Sequence, residues 1–493
     1  MRIFARHKPY AQDVSHNMNA TQKHQDKMRK LLLFTIAICS TIVLQAQEIT
    51  GQWNGILKIQ GSQLTIVFNV EKTENGYSGT MDSPDQGAKG IPMTTVSFDN
   101  NTLKISNSTA KLEYEGVLDE QNIINGNFKQ GGYSFPLNLS RERVKKERIP
   151  KPQEPTKPYS YNSEDITYEN KDAGIRLAGT LTIPKGKGLF PAVILISGSG
   201  AQNRDEELLG HKPFLVLSDY LTKNGIAVLR FDDRGTAESE GNHNTATSLD
   251  FATDVEAGVQ YLKTRKEIDQ KNIGLIGHSE GGMIAPIVAS RSKDISFIVL
   301  NAGLGIPGDK LLLLQNNLIS KASGINDEIL AENDKTNANI YNIIKSSKDT
   351  NQLKSDLSEF YKKSLKDNPN TQLPNGMTED DYVKIKVNAM TSPWMQYFIK
   401  FNPETFLKKV KCPVLAINGT NDLQVPAKEN LLGIKTALEK NGNKNVTTKE
   451  LANLNHLFQE SKTGLPSEYS QIEQTISPVA LELITSWIKE QTK

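Results

Sequence analysis

The chain has 493 residues, 37% of them hydrophobic and 23% charged, which is enough for two or three domains with apolar cores. Its formal charge of +2 is spread without a basic block outside one lysine- and proline-rich stretch, and so gives nucleic acid no footing as a partner. The two cysteines, Cys39 and Cys412, make no disulfide framework; zinc-ligand spacing, a phosphate loop and a dinucleotide fingerprint are missing, so neither metal nor cofactor is implied.

In chain order, residues 1–27 are polar and precede a second start at Met28, which makes them read as an over-extended beginning. Met28-Arg29-Lys30, the apolar run 31–44 and Gln45-Ala46-Gln47 follow the basic, apolar, small-residue order of a secretory signal. Residues 28–47 are therefore expected to be a signal peptide, and the protein to be exported to the periplasm or secreted. The apolar run is too short to span a bilayer, so no integral membrane segment is expected after cleavage.

Residues 48–145 change character. Leu64, Ile66, Phe68 and Val70 alternate with polar neighbours, as do Leu103 and Ile105, then Phe135, Leu137 and Leu139, with turn formers at 74–76, 99–101 and 130–132 between them. This predicts an antiparallel β module, a small barrel or sandwich. Gly51-Gln52-Trp53 resembles the start of lipocalin-like barrels. Residues 146–162, rich in lysine and proline, read as a semi-rigid linker.

From residue 163 strands and helices alternate. Residues 166–169 and 175–183 predict two antiparallel opening strands; 190–196, 226–231, 273–276 and 295–300 are apolar runs suited to buried parallel strands, with helical patterns at 215–222, 250–266 and 282–291 between them. Residues 303–410 interrupt the rhythm with a charged, mostly helical insertion, too long to be a structureless loop and expected to form a lid. The rhythm resumes at 411–493 with strands at 413–417 and 446–451. Alternation at this spacing gives a mostly parallel, doubly wound sheet that binds ligands at its strand carboxyl ends.

Four segments gather at those ends. Gly277-His278-Ser279-Glu280-Gly281 joins strand to helix with small residues two before and two after a serine, the pattern of a nucleophile elbow. Such a string arises by chance in about one chain of this length in six, so its companions matter. His456, in the loop after the last strand, has the residue type that can take a serine proton near neutral pH and return it. His278, beside the serine, is expected to point away from it. Asp422, in Asn418-Gly419-Thr420-Asn421-Asp422 after the penultimate strand, is placed to orient the imidazole, giving the chain order serine, acid, histidine. Ser197-Gly198-Ser199-Gly200 follows another buried strand, and the amides of Ser199 and Glu280 are the candidate oxyanion donors. On the lid, Trp394, Tyr397, Phe398 and Phe401 form an aromatic cluster that either docks the lid or meets substrate.

As a set, Gly198 to Asp205, Phe231-Asp-Asp-Arg234-Gly235 through Gly241, the elbow and the Asp422 turn resemble a bacterial α/β-hydrolase family of exported serine esterases. The likeness extends to serine aminopeptidases and dienelactone-hydrolase-like enzymes, and covers about residues 165–490. Ser197 and Ala201 stand where that family more often has histidine and proline. The resemblance implies an α/β-hydrolase core at 163–302 and 411–493 with a helical lid, preceded by an all-β domain, and a Ser279-His456-Asp422 triad cleaving a small-molecule carboxylic ester. Two alternatives remain open: a peptidase acting on small peptides or aminoacyl amides, and a non-catalytic protein binding glycan or lipid through the β module.

Overall fold

The structure, a computed structural model, describes residues 48–145, 150–367, 373 and 378–493, apart from 60–61, 87, 109 and 131–132. The expected signal at 28–47 lies outside the described residues.

The amino-terminal module is one antiparallel sheet of β1 (Gly51–Ile59), β2 (Ser62–Thr73), β3 (Gly76–Ser83), β4 (Ala88–Pro92), β5 (Thr95–Asp99), β6 (Thr102–Asn107), β7 (Leu112–Leu118), β8 (Ile123–Gln130), β9 (Tyr133–Pro136) and β10 (Leu139–Ser140). Eight of these run in the order β10-β1-β2-β3-β5-β6-β7-β8, and β8 pairs back onto β10, so the sheet closes into a barrel with no open edge in the ring. Alternation drives the closure: along β7, Leu112, Tyr114, Gly116 and Leu118 point inward while the residues between them are exposed. Trp53, Phe68, Tyr114 and Phe128 fill the interior. The polar tips there are satisfied by backbone, Trp53 Nε1 donating to the Ile49 carbonyl at 2.7 Å and the Tyr114 hydroxyl lying 3.2 and 3.1 Å from the Ile124 and Leu137 carbonyls. At one end the Arg141 guanidinium stacks 3.9 Å from the centroid of the Trp53 ring and donates to the carbonyls of Glu48 and Thr50. The inside is thus packed side chain, which weakens the reading of the barrel as a binding cup.

The stretch after the barrel is more than a spacer. Lys151 Nζ reaches the Ile472 carbonyl at 2.5 Å and the His211 ring at 2.9 Å, and the Gln153 amide accepts from the amides of Thr475 and Ile476 and donates to the Ile476 carbonyl. Its second half is therefore a strap laid on the domain that follows.

That domain holds an eight-stranded sheet: β11 (Asn162–Asn170), β12 (Ile175–Ile183), β13 (Phe190–Ile196), β14 (Ala227–Phe231), β15 (Ile268–His278), β16 (Phe297–Asn301), β17 (Val414–Gly419) and β18 (Val446–Leu451). Their order is β11-β12-β14-β13-β15-β16-β17-β18, antiparallel as far as β14 and parallel from there on. Helices α1 (Pro213–Lys223), α2 (Ser248–Lys263) and α3 (Glu280–Ala289) connect the strands up to β16. Strands β13, β14, β16 and β17 are buried nearly throughout because helices cover both faces. The chain leaves β13 toward β14 on one side and returns to β15 on the other, so the loops after β13 and β15 diverge. A crevice opens where they part, at the carboxyl ends of the strands.

The insertion between β16 and β17 is helical: α4 (Gly308–Ala322), α5 (Asp327–Ser346), α6 (Thr350–Asp367), α7 (Glu379–Met390), α8 (Pro393–Lys400) and α9 (Glu404–Leu407). It has a small core of its own, including Ile344, Leu353, Leu357, Tyr361 and Val383. Helix α10 (Ala427–Lys440) then links β17 to β18, and α11 (Pro478–Gln491) ends the fold.

Candidate active site

The elbow forms for a steric reason. A Cβ on Gly277 would lie 2.0 Å from the Gly281 carbonyl oxygen, and one on Gly281 would lie 2.0 Å from the Ile196 carbonyl oxygen on β13, so any side chain at either position would collide with backbone. Between them Ser279 sits at φ 54°, ψ −114°, a conformation that L residues avoid and that tight packing must enforce. The Ser279 amide is tied to the Asn301 carbonyl at 2.9 Å, and α3 starts at the next residue.

Ser279 and His456 line the same cavity, of about 250 Å³, which also takes Gly198, Ser199, Gln202, Leu304, Leu311, Leu312, Gln315, Trp394, Phe398 and Gln424 into its wall. Behind His456, the Asp422 carboxylate receives the ring Nδ1–H at 2.8 Å. Asp422 is itself held: its Oδ1 accepts the amides of Gln424 and Val425, each at 2.8 Å, which leaves Oδ2 for the histidine. The chain brings serine, histidine and aspartate from three strand ends to one place, as the motif order implies.

Of the two proposed oxyanion donors, Ser199 lines the same cavity and Glu280 follows the serine as the first residue of α3. Ser199 follows Gly198, whose hypothetical Cβ would be 3.3 Å from Ser279 Cβ, so the loop after β13 passes directly over the serine. Among the described residues neither the Ser199 nor the Glu280 amide has a hydrogen-bond partner, as expected of a loop N–H and a first-turn helix N–H. The Gly198 amide, one residue earlier, is taken by Glu206 Oε1 at 2.7 Å. Serine at 197 and alanine at 201 do not disorder the loop: Ser197 Oγ donates to Asp233 at 2.7 Å, and the other Asp233 oxygen accepts the Gln202 amide at 2.9 Å. Burial pushes the Asp233 carboxyl up to about 8.

Of the lid aromatics, Trp394 and Phe398 line the cavity, their rings stacked 5.1 Å apart, while Phe401 is buried between Tyr397 and Phe406 and docks the lid on the core. Trp394 is fixed by a group whose side chain the sequence reading left out. The buried Glu280 carboxylate accepts Trp394 Nε1 at 2.8 Å and Ser248 Oγ at 2.5 Å, with the Ser199 hydroxyl also bonded to it, and burial raises its pKa. The residue after the nucleophile therefore fastens lid, elbow and oxyanion loop with one side chain.

His278 is part of the cavity wall, with its ring 4.8 Å from that of His456. Its Nδ1 bonds Glu206 at 2.8 Å and its Nε2 the His456 carbonyl at 3.0 Å. Glu206, absent from the sequence-based candidates, is almost fully buried there. Among the described residues no three His, Cys, Asp or Glu side chains are grouped to hold a metal ion, and no helix is long and apolar enough to cross a membrane.

The family described as X-Pro dipeptidyl-peptidase (S15 family) matches residues 173–448. Esterase EstD of Thermotoga maritima is 28% identical over 316 residues, covering 63% of this chain and 64% of that protein, so the chain spans a little under two thirds of the esterase's length. Among solved structures, an esterase of Pyrococcus furiosus superposes on 71% of this chain and 95% of its own with a TM-score of 0.40 at 17% identity. A hypothetical protein from Pseudomonas aeruginosa does so on 71% and 98% with a TM-score of 0.42 at 14% identity.

Proposed function

Because the chain belongs to the X-Pro dipeptidyl-peptidase (S15) family, and its elbow serine and loop histidine line one cavity with a buried aspartate bonded behind the histidine, we propose that it is a serine hydrolase of carboxylic esters. Ser279 attacks the carbonyl carbon while His456 takes the hydroxyl proton and passes it to the leaving alcohol; Asp422 keeps the imidazole in the tautomer whose Nε2 is free to accept. The amides of Ser199 and Glu280 receive the developing oxyanion, and water then releases the acyl group by the same route in reverse. Leu304, Leu311, Leu312, Trp394 and Phe398 suit an apolar acyl group, and Gln202, Gln315 and Gln424 offer neutral donors and acceptors to an alcohol. The observation that carries the reading is Ser279 held at positive φ on the same wall as an imidazole whose far nitrogen is bonded to a carboxylate.

Ser279→Ala should leave the fold intact, abolish turnover of p-nitrophenyl acyl esters and remove covalent labelling by a fluorophosphonate. Labelling at full strength in that variant would end the assignment. The family's description favours a second reading, amide cleavage at a peptide. Faster hydrolysis of aminoacyl p-nitroanilides than of short acyl esters would establish it. Export through residues 28–47 belongs to the same proposal; amino-terminal sequencing of protein recovered outside the cytoplasm should begin near residue 48.

A further inference from the structure

Glu206 and His278 have a bonding pattern that fixes where their protons are. The Nε2 of His278 faces the His456 carbonyl oxygen at 3.0 Å; a carbonyl only accepts, so Nε2 carries hydrogen. On the other side Nδ1 faces Glu206 Oε1 at 2.8 Å, and that same oxygen accepts the Gly198 amide at 2.7 Å. A carboxyl O–H oxygen is a weaker acceptor than a carboxylate oxygen, so two short bonds meeting at Oε1 are best served by a carboxylate that takes a hydrogen from Nδ1 as well. Both ring nitrogens are then protonated. The side chains are 10% and 5% exposed, so this is a built, desolvated pair and not a surface contact.

We propose that Glu206 and His278 form a buried carboxylate–imidazolium pair that acts as a positioning device, joining the oxyanion loop, the nucleophile elbow and the loop of the general base. The inference rests on the triad reading above. The carboxylate holds Gly198, one residue before the Ser199 amide; His278 is the residue before Ser279; its far nitrogen holds the backbone of His456. A shift of any one segment stretches a charge-assisted bond to the others, and such bonds are about twice as strong as neutral ones. Glu206 itself stands at φ 50°, a backbone conformation kept only where surroundings impose it.

The groups facing His278 agree with a retained proton. Burial alone would lower its pKa, but the Glu206 charge and hydrogen bond, then the His456 carbonyl and the Asp422 charge, reverse the direction to upward. The remaining neighbours are the His456 ring and the edge of Phe458, 6.5 Å away between ring centroids.

The test uses the whole catalytic protein. Long-range ¹H–¹⁵N spectra at pH 7.5 should show both ring nitrogens of His278 protonated; a single protonated nitrogen at pH 7.5 overturns the proposal. Glu206→Gln can keep an oxygen at the Oε1 position, accepting from the Gly198 amide and from Nδ1–H, but removes the charge. It should lower kcat about tenfold with KM within twofold, and bring into the kcat profile an ionisation that the parent lacks, as His278 releases its proton within the assay range. Wild-type kcat and pH profile in both Glu206→Gln and Glu206→Ala would also overturn it. Fluorophosphonate labelling of the parent separates the two failures. A protein that labels at Ser279 but has a neutral His278 loses only this inference, whereas one that never labels loses the triad while its His278 spectrum stands.

Discussion

Asp422→Asn is the sharpest probe of the triad, because the structure dictates which way the new amide must face. Oδ1 of Asp422 accepts two backbone amides, those of Gln424 and Val425 at 2.8 Å each, and an NH2 group there would set donor against donor twice. The asparagine therefore keeps its oxygen at that position and presents NH2 to His456, where Oδ2 now accepts the ring hydrogen at 2.8 Å. His456 answers by placing its lone pair on Nδ1 and its hydrogen on Nε2, the atom that must take the serine proton. Loss of the correct tautomer, with geometry kept, costs about 10³- to 10⁴-fold in kcat, or about 4 to 5.5 kcal/mol of barrier. Stability should change by less than about 1 kcal/mol, since the turn bonds survive. Asp422→Ala is the contrast: it also strips the acceptor from both amides, each worth about 1–3 kcal/mol when left unpaired. The assay is kcat on a p-nitrophenyl ester beside a thermal melt for both variants. An Asp422→Asn enzyme within tenfold of the parent and melting like it would refute the argument.

Gly281→Ala puts a Cβ 2.0 Å from the Ile196 carbonyl oxygen, and with backbone on both sides nothing can give way; a loss of about 3 kcal/mol or more and of fluorophosphonate labelling is expected by melt and gel. Trp394→Phe removes one of the donors to the buried Glu280 carboxylate, which should destabilise the protein by about 1–3 kcal/mol and raise KM for acyl esters more than it lowers kcat. The Asp233 carboxyl, pushed up to about 8 by burial, is protonated in the folded protein over a range where the unfolded chain, with a value of about 4, has lost the proton. Stability should therefore fall as pH rises through that window and level off above it. Asp233→Asn, which can accept from the Gln202 amide and donate to Ser197 Oγ, should flatten urea midpoints between pH 5 and 9; an unchanged slope would contradict the assignment.

What could be read from the sequence, and what could not, follows from how far each constraint reaches along the chain. The elbow was legible because its constraint is backbone against backbone: the carbonyls of Gly281 and Ile196 leave no room for a Cβ, so glycine recurs at fixed spacing from the serine. Asp422 and His456 were legible because buried strands announce themselves as apolar runs and the residues just past them must lie at the sheet's carboxyl edge. Barrel closure was not, since β10 is two residues long and its pairings with β1 and β8 leave no periodicity to detect. Glu206 was hidden for the opposite reason. It stands in Arg204-Asp205-Glu206-Glu207, four charged residues with nothing to single one out, and its partner lies 72 positions away. In the fold the four separate cleanly: Arg204 pairs with Asp232, Asp205 with Arg230, Glu207 stays exposed, and Glu206 alone turns inward to meet Gly198 and His278. Ser197 is the intermediate case. Its departure from the related pattern is visible in the sequence, but the hydroxyl's bond to Asp233 that anchors the oxyanion loop depends on β13 and β14 lying side by side, and only the sheet order supplies that.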